Sequence, residues 1–184
     1  MKARSRFALI TTTIAALTLS AIASADMKST GGNVSFTVPG PLGMTISGKS
    51  NSLSATEVGG KVTLTIGFVC GGEPCFDTDS SLRNKHLVNG VGKDAAVFTI
   101  DKSKLSIPED GKTTTGSGVG SLLLHGVKND AQAMTYKISR KGNDYTVDGK
   151  TTVYLDKHKI EVKHAGIGPK NDVAVTLHFV LHET

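Results

Sequence analysis

Six histidines and two cysteines are the residues whose types first suggest chemistry in this chain. Imidazole binds metals and carries protons near neutral pH, and a thiol pair can bind zinc, cycle redox equivalents or close a disulfide. The spacing gives metal chemistry little to build on. His178 and His182 stand four apart, which suits zinc on a helix, but Phe179 occupies the place of the protease-motif glutamate and the surrounding run alternates like a strand. His158 and His164 fall in the Lys-rich run from Lys157 to Lys163, which reads as a solvated strand face. A metal-dependent hydrolase would need several of these histidines to converge from separate parts of the chain.

Cys70 and Cys75 enclose Gly-Gly-Glu-Pro. That spacing is looser than the Cys-x-x-Cys of redox proteins, and no nearby ligands complete a zinc set, so a disulfide staple on a loop is expected; a redox pair and half a metal site are the alternatives. No nucleophile elbow is found, because Gly116-Ser117-Gly118 lacks its spacing. Gly90-Val-Gly-Lys93 is followed by Asp94 where a phosphate loop needs a hydroxyl, and Asp77 with Asp79 reads as helix capping. The sequence predicts neither catalysis nor a cofactor.

The elements that would hold these residues begin after an export signal. Lys2, Arg4 and Arg6 precede an apolar run from Phe7 to Ile22 and the small residues Ala23-Ser24-Ala25, so cleavage is expected before Asp26. Residues 1–25 are read as the leader and 26–184 as one domain, periplasmic or secreted, with no stable membrane insertion after cleavage. Losing the three leader cations leaves 18 basic against 16 acidic residues, a net charge of +2 in place of +5. With lysines scattered singly among acids, no basic stripe remains for nucleic acid.

Within the domain, apolar residues recur at every second position, the period of a two-faced strand. Val34, Phe36 and Val38 form one set, and Val62, Leu64, Ile66 and Phe68 another. Phe98 with Ile100, Leu122 with Leu124, and Met134, Tyr136 and Ile138 follow. Tyr145 with Val147, Val153 with Leu155, Ile160 with Val162, and Val173, Val175, Leu177 and Phe179 complete the series. Turn signals such as Gly59-Gly60 and Lys141-Gly-Asn-Asp144 separate them. About eight antiparallel strands are expected, closed into a barrel. One stretch, from Asp79 to Leu87, lacks alternation and reads as a short helix capped by Asp79 or Ser80.

The segments Ser81-Leu-Arg-Asn-Lys-His-Leu87 and Gly118-Val-Gly-Ser-Leu-Leu-Leu-His-Gly-Val127, with Asn33-Val-Ser-Phe36 and Asp172-Val-Ala-Val-Thr176, occur in the order found in the YceI-like family, which the chain resembles over nearly all of the domain. That family's helix pairs Arg with Asp, where this chain has Asn84. The resemblance implies an all-β, eight-stranded, lipocalin-like barrel that binds polyisoprenoids or other long amphiphiles without catalysis. On that basis Phe36, Leu64, Ile66, Phe68, Phe98, Met134, Tyr136, Leu177 and Phe179 are expected to line a pocket for an isoprenoid or fatty-acid-type lipid. Arg83, Lys85 and His86 are candidates to meet an anionic head group. A structural or adhesion module with a solid barrel is the rival reading, and a homodimer is left open.

Overall fold

The structure is a computed structural model, describing residues 26–40, 43–161 and 171–184. Residues 1–25, read as a leader, and Val162 and His164 lie outside the described residues. In chain order the elements are β1 (Met27–Pro39), β2 (Thr45–Ser50), β3 (Leu53–Val58), β4 (Lys61–Ile66), β5 (Val69–Cys70) and β6 (Glu73–Pro74). Helix α1 (Ser81–Val91) follows, then β7 (Ala96–Asp101), β8 (Thr113–Leu124), β9 (Val127–Lys141), β10 (Asp144–Tyr154) and β11 (Asp172–Glu183). Each barrel strand pairs antiparallel with its neighbour, and β1 pairs with β11 to close the sheet. β2 and β3 continue one another along β1 in a single register, Val34 opposite Ser50 and Met27 opposite Glu57, so the barrel has eight staves.

The alternation read in the sequence has the expected parity. On β9, Gln132, Met134, Tyr136 and Ile138 are buried while Ala133, Thr135 and Lys137 are exposed; on β11, Leu177, Phe179 and Leu181 are buried. The inward positions of β8 include Gly116, Gly118 and Gly120, and large neighbours fill the space this leaves: a Cβ on Gly116 would meet the Tyr136 ring, on Gly118 the Ile100 side chain, and on Gly120 the Phe98 ring. Where β1 bulges between Ser29 and Gly32, the Ser29 hydroxyl accepts from Ala55 N–H at 2.8 Å and repairs the ladder.

Three expectations need correction. Ile160, read as a strand residue with Val162, follows the 3-10 turn Leu155–His158 and is buried outside any strand. His158 is no solvated residue either; it is 0% exposed, with Nδ1 3.1 Å from the Val127 carbonyl and no partner at Nε2. Leu155, read as a strand residue, belongs to that same turn. Conversely β2 and β3 have no counterpart in the sequence reading, because Gly48, Ser50 and Glu57 occupy inward positions that would otherwise complete an apolar alternation.

Glu57 is the most consequential of these. It is 1% exposed, accepts from Gly60 N–H at 2.8 Å, and meets Lys102 Nζ at 3.1 Å. A carboxylate held out of water needs those partners. Lys102→Met is expected to destabilise the barrel by about 3 kcal/mol, and adding Glu57→Gln to recover much of the loss. Urea unfolding of the two variants would check this, and equal stabilities for Lys102→Met and the wild type would contradict it.

Candidate ligand-binding cavity

The barrel is hollow toward one end. A cavity of about 210 Å³ is bounded by inward residues of all eight staves, among them Phe36, Ile46, Leu64, Phe98, Leu124, Met134, Val153 and Leu177. The polar groups of its barrel wall are engaged with the protein itself. Gln132 Nε2 donates to Thr151 Oγ1 at 2.6 Å and to the Thr152 carbonyl at 2.9 Å, while Thr151 Oγ1 donates to the Ala133 carbonyl at 2.6 Å. What remains for an occupant is apolar surface, which gains by contact with hydrocarbon rather than water.

Helix α1 sits against this end. Arg83, His86, Leu87 and Val91 recur at helical spacing and all border the cavity. The helix begins at Ser80, whose side chain accepts from Arg83 N–H at 3.4 Å, and ends at Gly92, whose positive φ of 86° suits glycine. Asn84 Oδ1 accepts from both Thr78 N–H at 2.9 Å and Thr78 Oγ1 at 2.6 Å, tying the helix to the segment before it. Of the described residues lining the cavity, Arg83 and His86 are the two that are exposed, so they mark its mouth.

A second clamp is aromatic. Cys70 and Cys75 are joined in a disulfide that closes the β5–β6 hairpin, with Cα atoms 5.3 Å apart, and Cys75 N–H donates to the Phe68 carbonyl at 2.9 Å. Phe68 and Phe76, on either side of the hairpin, stack at 5.6 Å between centroids, and Phe36 packs on Phe76 at the same distance. All three rings line the cavity.

No family model matches the sequence, and no curated protein matches it. Solved structures do. A polyisoprenoid-binding domain from Saccharophagus degradans implicated in plant cell wall breakdown superposes with a TM-score of 0.71, covering 86% of this chain and 98% of that one at 14% identity. The chain shares that domain's fold. BcnA of Burkholderia cenocepacia is similar as well, with a TM-score of 0.56 over 81% of this chain and 95% of that one at 18% identity. This is the barrel that the YceI-like resemblance implied.

Of the nine residues expected to line a pocket, Phe36, Leu64, Ile66, Phe68, Phe98, Met134 and Leu177 border the large cavity. Tyr136 and Phe179 do not. Both point inward, but one step further along β9 and β11, where they border a separate hollow of about 40 Å³. In that region Tyr145 is also buried, and its burial, reinforced by the nearby Glu183 carboxylate, raises the phenol above its ordinary value. Lys85 is likewise off the site: two positions past Arg83 it faces away from the side of α1 that carries Arg83 and His86. His178 and His182 lie on the outer face, each with Nδ1 2.7 Å from an opposing carboxylate of β10, Asp148 and Asp144. Among the described residues no cluster of three or more His, Cys, Asp or Glu could hold a metal.

Some lining residues beyond the nine, such as Val34, Leu122, Leu124, Val153 and Val175, sit in the alternating runs, and others lie outside any run. Phe76 was legible only as the mirror of Phe68 across the two cysteines, and Ile46 sits in a strand too polar to signal itself. Replacing both Cys70 and Cys75 by Ser is expected to cost up to about 2 kcal/mol, since a small loop loses little closure entropy. Urea unfolding with and without reductant would check it: the wild type should fall to the variant's stability when reduced, and the variant should not change.

Proposed function

We propose that the protein is an extracytoplasmic, non-catalytic carrier of the YceI-like type, which takes an isoprenoid or fatty-acid-type chain into its barrel. The observation that carries this reading is the cavity itself: about 210 Å³ of apolar-walled space whose described rim offers Arg83 and His86 as its exposed groups. An apolar chain gains roughly 25 cal/mol per Å² on entering such a space, before ordering costs. The polyisoprenoid binding stated for the Saccharophagus degradans domain of the same fold supports a long apolar ligand here. The leader-like segment before Asp26 and the Cys70–Cys75 disulfide support an oxidising, extracytoplasmic location.

A non-catalytic role is supported by the chemistry of the wall. Thr78, Gln132 and Thr151 are engaged in hydrogen bonds within the protein, and none of them is paired with a base that would activate it. The place for a ligand's polar end is the rim, where a guanidinium and an imidazole favour an anionic group. That gives Arg83 and His86 the head-group role; Lys85 has no part in it.

Native mass spectrometry of protein purified from its own host, followed by lipid extraction, tests the carrier. Co-purified lipid is expected, and repeated recovery of empty protein that also fails to take up long-chain lipids would overturn the reading. For the rim, Arg83→Ala is expected to weaken binding of a fatty acid about fivefold, a modest factor because the side chain is exposed, and to leave the corresponding alcohol unchanged. Equal losses for acid and alcohol in a displacement titration would remove Arg83 from the head-group role.

A further inference from the structure

The large cavity and the small hollow lie end to end along the same strands. On β4, Ile66 borders the large cavity and Val62 the small one; on β9, Gln132 borders the first and Tyr136 the second; on β11 the same change falls between Leu177 and Phe179. Two residues border both, Leu64 and Met134. Only side chains stand between the two spaces at this level.

We propose that Leu64 and Met134 form a partition that sets the length of chain the barrel accepts. The proposal rests on the carrier reading and adds to it a stop at a defined depth. Met134 is the movable half, since an unbranched thioether has three rotatable bonds and adapts to irregular gaps. Its position is supported from the neighbouring strand by an absence: Gly149 of β10 faces inward, and a Cβ there would sit 3.3 Å from Met134 Sδ and 3.4 Å from Leu177 Cδ1. The glycine thus leaves Met134 the room it occupies. Beyond the partition the small hollow is bordered by Val62, Ile100, Tyr136, Tyr145 and Leu181. A chain that displaced Met134 would gain about 40 Å³ of further apolar-walled space.

The test is a homologous series of straight-chain fatty acids from octanoate to stearate, titrated into the purified wild type, Met134→Ala and Gly149→Ala, with far-ultraviolet circular dichroism and thermal unfolding to establish that each is folded. In the wild type, affinity should rise about fourfold per added methylene until the chain end reaches the partition, and then level off. Met134→Ala should move that break to longer chains. Gly149→Ala, which crowds Met134 and Leu177 without altering either partition residue, should move it to shorter ones or lower the plateau. A break at the same length in all three folded proteins would overturn the partition and leave the carrier reading standing. If no fatty acid bound the wild type at any length, both would fall together.

Discussion

The pairing of β1 with β11 is the constraint on which the rest of the structure depends. Nine residue pairs join the two strands, from Met27 opposite Glu183 to Thr37 opposite Ala174. Without this seam the sheet would present two long open edges and one apolar face to water, the combination that leads strands to pair with other chains. With it, every inward residue of eight staves faces the same enclosed space. Closure also makes the bulge at Ser29–Gly32 consequential, because it lets β1 satisfy β11 on one side and β2 with β3 on the other.

Closure fixes the space, and side-chain volume decides how it is divided. Toward one end large residues meet small ones: Tyr136 fits beside Gly116 and Ile100 beside Gly118, and only about 40 Å³ stays open there. Toward the mouth the Phe36 and Phe98 rings lie over Gly48 and Gly120, and about 210 Å³ stays open between them and the surrounding valines and leucines. The same barrel is thus both a packed core and a container. A solid structural barrel would need larger residues at positions such as Ala96, Val153 and Val175.

The mouth is built from the two segments that do not belong to the barrel. Helix α1 places Leu87 and Val91 against the cavity and Arg83 and His86 at its edge, while the disulfide-closed hairpin carries Phe68 and Phe76 onto the wall. Leu82, by contrast, is 62% exposed, so the helix rests on the barrel through only one face. These elements contribute few of the contacts that hold the sheet together, which makes the mouth the part of the molecule with least to lose on rearrangement.

Strand content, parity and barrel closure were legible from the sequence because a period of two survives in β4, β7, β9 and β11, where most inward residues are apolar and most outward ones are polar or small. The pairing of Cys70 with Cys75 was legible from their spacing. The reading stopped where inward positions are polar or absent. Glu57 conceals β3, since a buried carboxylate is tolerable only beside Lys102, a partner 45 residues away. His158 looked solvated among lysines, and only the turn after β10 packs it against the Val127 carbonyl. Tyr136 and Phe179 were correctly read as interior, yet their depth along the barrel is set by register between strands distant in sequence, as is the meeting of Leu64 with Met134. The sequence by itself determined which face of each strand avoids water, because that is a local property of alternation. Which inward residues share a cavity was decided only by tertiary structure, because it depends on stagger between strands and on the volumes that face one another across the barrel.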